Sequence, residues 1–228
     1  MFYSNKAFIP LLFFLLSLGT LFSQENVTAY WQPSIALNYP VSKNYTHNFS
    51  IQNRNYVYEE TRAQLSVRQL DAVHFSNLKL QNNTSLALGI LYRFRETFDG
   101  GANELRFTQQ YNFTSKPFII RYGHRIRSEQ RITSSNVIQR FRYRFSIDSP
   151  LQGEKLDIGE PYLVTNLEQL LSVGQNERPQ YDIRLTLHLG WKLNDLTKIQ
   201  FGAEYRSEDY SNEVQHVLFF LSTLNISL

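Results

Sequence analysis

Arginine stands at every second position over Arg140, Arg142 and Arg144, with Phe141, Tyr143 and Phe145 between them. The same spacing recurs upstream. One parity of Phe118 to Arg131 carries Arg121, Arg125, Arg127, Glu129 and Arg131, and Arg93, Arg95 and Arg106 fall in phase within their own segments. A guanidinium stays charged at any working pH and presents a planar fork of donors that matches a carboxylate or a phosphate. A row of them on one strand face can therefore do one of two things. It can form a ladder of ion pairs with carboxylates on neighbouring strands, or it can present a basic groove to anions such as sugar acids or phosphorylated ligands.

The carboxylates for a ladder are fewer. Glu104, Glu129 and Asp148 share the polar parity with ten arginines, whereas Glu168, Asp182, Glu204 and Glu208 lie closer to balance with Arg184, Lys192 and Arg206 further along. The candidate ladder is thus Arg93, Arg95, Arg106, Arg121, Arg125, Arg127, Glu129, Arg131, Arg140, Arg142, Arg144, Glu168, Asp182, Arg184, Glu204, Arg206 and Glu208. Arginine on one wall with carboxylates concentrated on the other would set up a field across the interior.

Other chemistry is sparse. His124 and Ser128 share the aromatic parity of one strand, but at ~3.3 Å per residue their Cα atoms lie about 13 Å apart, too far for a nucleophile and its base. His188 sits near Arg184 and Lys192 and reads as a hydrogen-bonding residue, while His47, His74 and His216 are scattered. No metal-ligand spacing, phosphate-binding glycine loop or redox motif is present, so no catalytic residue, metal or cofactor is assigned. Interleaved arginine and aromatic residues also occur on nucleic-acid platforms, but those put both types on one face, and here the faces are opposed.

The elements that must carry these residues are strands. Period two dominates after Gln24, and no window keeps a helical period. Leu86, Leu88, Ile90, Tyr92 and Phe94 alternate with Ser85, Ala87, Gly89, Arg93 and Arg95. Tyr181, Ile183, Leu185, Leu187, Leu189 and Trp191 alternate with Asp182, Arg184, Thr186, His188, Gly190 and Lys192. About eleven such segments of roughly 10–16 residues can be counted, longer than the ~5–6 of ordinary strands and long enough for the ~9–11 that cross a bilayer. One strictly apolar parity, long strands and short turns together predict an all-β fold, a single antiparallel up-and-down transmembrane β-barrel. Only a closed barrel satisfies every backbone group of a sheet in lipid. Single-chain bacterial barrels have even strand numbers. The expectation is therefore about twelve strands, with ten as the alternative and the miscounted stretch inside Asn55 to Leu80 or Ser149 to Tyr162.

The chain has 228 residues, a formal charge of +3 and no cysteine. Its start reads as a cleaved signal peptide over 1–23, with Lys6 before the apolar run "AFIPLLFFLLSLGTLF" and Ser23 before Gln24, leaving 24–228 as the barrel. Without disulfides, stability in an oxidising compartment must come from burial or a closed hydrogen-bond network. Seven Asn-x-Ser/Thr triplets begin at Asn26, Asn44, Asn48, Asn82, Asn83, Asn112 and Asn225. Those at Asn48, Asn112 and Asn225 fall within strands, as products of a strand composition rich in Asn, Thr and Ser.

The stretches "LYRFRETF", "NELRFTQQYNF", "RYGHRIRSEQRI", "RFRYRFSIDSPLQGEKLDIGEPYLVTNLEQLL" and "GWKLNDLTKIQFGAEYR" resemble the bacterial family known as domain of unknown function 2490. The resemblance covers nearly all of the chain after residue 23, most specifically Asn103 to Pro161. It implies export, an outer-membrane location of the kind common in Bacteroidetes, and a β-barrel. It supplies no reaction and no functional residues. The expected partners are outer-membrane lipid and lipopolysaccharide, and an outer-membrane assembly machine that reads the alternating Leu224, Ile226 and Leu228, with no nucleic acid. The functional expectation is a structural barrel or a narrow anion-favouring pore. Alternatives are a soluble periplasmic barrel that binds a lipid-like ligand in an inverted arrangement, and an enzyme that modifies lipid or lipopolysaccharide.

Overall fold

The computed structural model describes residues 27–59, 62–81, 83–175 and 177–228. The expected signal segment, 1–23, and the triplet asparagines Asn26 and Asn82 lie outside the described residues. Eleven strands are present among those described: β1 (Val27–Pro40), β2 (Tyr45–Glu59), β3 (Arg62–Lys79), β4 (Thr84–Phe94), β5 (Glu104–Ser115), β6 (Arg121–Ile132), β7 (Val137–Pro150), β8 (Pro161–Gly174), β9 (Gln180–Lys192), β10 (Thr197–Glu208) and β11 (Gln215–Ser227). One short helix, α1 (Glu96–Asp99), sits in the connection after β4.

Sequential strands pair antiparallel all the way round, and the sheet closes on itself. The closure is the exception to the alternation. β1 and β11 run parallel, in register from Val27↔His216 to Asn38↔Ser227. This corrects the expected strand number, which is eleven and neither twelve nor ten. An even count is required only when the first and last strands pair antiparallel, and here the parallel pair closes an odd one. Neither suspected stretch hides a further strand, since Asn55–Glu59 continues β2 and 151–160 is a loop. Closure of this kind also puts the start of β1 and the end of β11 at opposite ends of the barrel.

The period-two pattern sorts the two faces as the alternation requires. Outward positions are exposed and apolar, among them Ile35, Ile51, Leu88, Ile90, Phe107, Ile126, Phe141, Leu185, Leu187 and Phe220. Tyr39, Tyr111, Phe113 and Trp191 sit towards one end, and Trp31, Tyr92, Phe94, Tyr181 and Tyr205 towards the other. Inward positions hold the buried charges. The interior is therefore polar and the exterior apolar, so the inverted arrangement, an apolar interior for a lipid-like ligand, is not the one adopted.

Two inward glycines have a packing reason. The ring of Phe75 lies across Gly89 on the paired strand, and that of Tyr162 across Gly190, where an added Cβ would collide with it in each case. A glycine facing an aromatic across two strands lets the ring lie flat on the sheet. Irregularity concentrates at one end of β1–β3. The register slips between Ala29 and Tyr30, between Arg54 and Asn55, and between Tyr56 and Tyr58. There Tyr30, Tyr56, Val217 and Phe219 form a buried cluster inside the lumen.

Candidate functional site

The inward arginines and carboxylates assemble into a connected network. Arg93 on β4 donates to both oxygens of Asp71 on β3, at 2.8 and 2.7 Å. Glu104 on β5 receives Arg106 at 2.5 Å and Arg131 at 2.6 Å. Glu129 on β6, only 1% exposed, lies 3.6 Å from Arg106, 3.4 Å from Arg127 and 3.2 Å from Arg142. Glu168 on β8 takes Arg144 at 3.2 Å and stands 3.9 Å from Arg142. Four carboxylates thus tie six adjacent strands, β3 to β8, across the lumen face.

A second cluster occupies β9 and β10. Arg184 pairs with Asp182 at 3.4 Å and Glu208 at 3.8 Å, and Arg206 with Glu204 at 2.5 Å and Glu208 at 3.4 Å. Arg206 also lies 3.8 Å over the Phe219 ring, and Arg54 4.8 Å over it. Arg54 and Arg68 both face the Tyr30 ring, and Arg68 is hydrogen-bonded to the Tyr30 hydroxyl. Stacking on aromatic faces adds cation–π attraction to these guanidiniums, and for Arg54 it stands in for a carboxylate, since none lies within ion-pair distance of it among the described residues.

Carboxylates do not reach every arginine. Arg95 donates to Gln69, Arg125 to Asn112 at 3.1 Å and Arg140 to Ser172 at 2.7 Å, and none of these three has a carboxylate within ion-pair distance among the described residues. Arg121 stands apart at the far rim, where its exposed guanidinium pairs with Asp148. The seventeen residues of the sequence-derived ladder therefore divide into two ion-paired clusters, three arginines held by neutral partners, and Arg121, which pairs at the rim with Asp148 outside the ladder.

The network leaves open volume. A chamber of about 1060 Å³ runs along the charged wall and a second of about 900 Å³ opens towards the Arg121 end. Fourteen arginine and lysine side chains line the first chamber against six carboxylates, an excess of eight positive charges. Glu104 and Asp182 lie buried behind that lining and reduce the excess to six. Glu129 lies among the arginines of β4 to β7, whereas Glu168, Asp182, Glu204 and Glu208 are carried by β8 to β10. The opposite wall, from β1, β2 and β11, carries amides and hydroxyls: Ser34 hydrogen-bonds Thr223 at 2.9 Å, and Asn48 donates to Asn38 at 2.9 Å.

Several lumen residues carry no sequence signal of the kind used above. Asp71 and Gln69 lie on a strand whose inward parity also holds Val73 and Phe75, so alternation does not mark them. Glu104 was legible as an inward acid, but its bridging of two arginines depends on the β5–β6 register.

Histidine and serine side chains also meet on the outer wall. Ser128 accepts from Gln139 at 2.7 Å and His124 bonds the Tyr143 hydroxyl at 2.8 Å, so the two are not brought together. His47, His74 and Ser76 do meet, but His74 at 2.9 Å and Ser76 at 3.3 Å both address Nδ1 of His47. A serine hydrolase needs the serine on one imidazole nitrogen and the orienting group on the other, and this trio does not provide it. Among the described residues no group of three or more His, Cys, Asp or Glu could hold a metal ion.

Residues 28–217 match the model of the family described as protein of unknown function DUF2490, and the chain belongs to that family. No curated protein and no solved structure matches it.

Proposed function

We propose that this protein is an outer-membrane β-barrel whose lumen admits and holds small anions. The observation that carries the reading is the excess of guanidinium over carboxylate around the larger of two lumen chambers that share lining residues. Rings of fixed positive charge favour anions in a pore by raising their local concentration and excluding cations. The apolar exterior supports the membrane half of the proposal. Outward Leu, Ile and Phe residues form an exposed band with tyrosine and tryptophan towards both ends, as transmembrane barrels require. In water so large an exposed apolar surface would drive association.

The ion-paired clusters serve the passage by holding its wall in shape. Each bridging carboxylate fixes the arginines it contacts and keeps the lining from collapsing under mutual repulsion, while the residual cations set the sign of the field. The test has two stages. Detergent-extracted protein from the membrane fraction is run in SDS unheated and boiled, and a closed barrel shifts in mobility on boiling. The purified barrel is then placed in a planar bilayer under a tenfold KCl gradient, where the reversal potential should take the sign of chloride permeation. Recovery from the soluble periplasm with no mobility shift refutes the membrane half. A cation-selective current, or none, refutes the passage.

A further inference from the structure

Four pairs of arginines face each other directly across neighbouring strands: Arg106 and Arg131, Arg127 and Arg142, Arg184 and Arg206, and Arg125 and Arg144. Like charges directly opposite one another on a sheet are destabilising, so each pair calls for an anion between its members. Three pairs have one from the protein. Glu104 contacts both Arg106 and Arg131, Glu129 both Arg127 and Arg142, and Glu208 both Arg184 and Arg206. The fourth has none that is shared. Arg144 reaches Glu168 through Nε, but Arg125 donates only through Nε to Asn112, and its two terminal nitrogens meet no acceptor among the described residues.

This unbridged pair lies at a particular place. The two lumen chambers share five lining residues, Asn38, Ser85, Arg125, Arg144 and His188, which mark the waist where they meet. None of the five is an acid. Nδ1 of His188 is buried without a hydrogen-bond partner, and the Ser85 hydroxyl accepts from Asn112, which leaves its own proton to donate. Guanidinium, imidazole, amide and hydroxyl donors thus all border one constriction.

We infer that this waist is a binding site for a tetrahedral oxyanion with two negative charges, a phosphate or phosphomonoester. Two guanidiniums match two charges, and each can present parallel N–H groups to a pair of phosphate oxygens. The remaining oxygens fall to His188 and Ser85. A monocarboxylate can bridge such a pair, as Glu104 bridges Arg106 and Arg131, but it supplies one charge for two guanidiniums, whereas the tetrahedral dianion supplies two and more acceptor oxygens. This deepens the reading of the lumen as an anion path and rests on it for access, although the site requires binding and not conduction.

The test is calorimetric titration of inorganic phosphate into the detergent-folded barrel, with acetate at matched ionic strength as comparison. Wild-type protein should bind phosphate saturably and at least tenfold more tightly than acetate. Arg125→Gln should weaken phosphate at least tenfold, and Arg140→Gln, which removes an arginine from the larger chamber alone, less than threefold. An equal loss in the two variants, acetate binding as tight as phosphate, or no saturable binding would overturn the site. Should Arg125→Gln fail to fold, the wild-type unfolding midpoint decides: it should rise in phosphate relative to chloride at equal ionic strength, and an unchanged midpoint overturns the site. Bilayer recordings separate the two proposals. Anion-selective current without phosphate binding would sink the waist site and leave the passage standing, and phosphate binding without current would do the reverse.

Discussion

Glu129 is the carboxylate whose removal should be felt most. It is almost fully buried and stands 3.2–3.6 Å from three guanidiniums, Arg142, Arg127 and Arg106. At an effective dielectric near 20, a unit pair at such separations gains about 4 kcal/mol. Against three such contacts stands the desolvation of the carboxylate, several kcal/mol, and the partial recovery of hydrogen bonding by an amide in its place. Glu129→Gln also leaves Arg127 and Arg142 facing each other unbridged. The expected loss is about 3–5 kcal/mol, the range for removing one partner of a buried ion pair. Equilibrium unfolding in urea, from detergent or vesicles and followed by the mobility difference of folded and unfolded forms, reads it out. Asp148→Asn is the internal comparison, because its partner Arg121 is 58% exposed and such a pair is worth at most about 1 kcal/mol. Equal, small losses in the two variants would refute the reasoning, since they would mean that lumen water screens the ladder as it screens the rim. The variant should also move the reversal potential further towards chloride, because it removes a negative charge from the lining.

Other consequences follow from the wall and its closure. Leu88, 65% exposed at the middle of β4, faces lipid on the membrane reading, and Leu88→Arg should cost about 2–4 kcal/mol; Leu65→Arg, near the end of β3, should cost less than 1 kcal/mol by the same unfolding assay. Gly89→Ala pushes a methyl group into the Phe75 ring and should cost about 1–3 kcal/mol, as overpacking does, with Phe75→Ala in the same chain removing most of that penalty in a double-mutant cycle. Because β1 and β11 run parallel, epitope tags placed in the 41–44 and 209–214 turns, the first and last of the barrel, should be reached from opposite sides of the membrane in intact cells. Accessibility of both from one side would refute the odd closure. Arg125→Glu should raise the unfolding midpoint above that of the wild type without added anion, since it replaces the unbridged like-charge pair with a carboxylate facing Arg144.

The face of each strand was legible because period two is all that a barrel wall asks of its sequence. The outward apolar and inward polar parities of β4 to β7 can be read off directly, and with them most of the arginines. Three things were not legible. The even-number rule points to twelve strands where the alternation itself yields eleven segments, and nothing in the side chains of β1 or β11 announces a parallel partner. Asp71 escapes the alternation because β3 mixes Val73 and Phe75 into its inward face, and Phe75 is tolerated there only because Gly89, on the next strand, leaves room beneath its ring. Which acid bridges which arginines depends on register, which a single strand's pattern leaves open. Glu129 and Glu208 look alike in sequence, yet one is buried among three guanidiniums and the other is partly exposed between two.

Register also explains why the lumen is built in two halves. An arginine can be held inside a barrel only if the adjacent strand places an acid, an amide or an aromatic face beside it. Antiparallel hairpins from β3 to β10 offer such neighbours at short sequence separation, and there the charges accumulate. At the β1–β11 seam the partners are some 190 residues apart in the chain, and beyond the Tyr30–Phe219 cluster at one end its lumen side chains are small amides and hydroxyls such as Ser34, Asn38, Thr223 and Asn225. Such groups tolerate a slip in register at the last step of closure, because each can donate or accept, whereas a misplaced guanidinium would be left facing its own kind. The neutral wall is thus the natural place to close an odd barrel. The charged wall, built from hairpin neighbours, carries the cations that line the larger chamber.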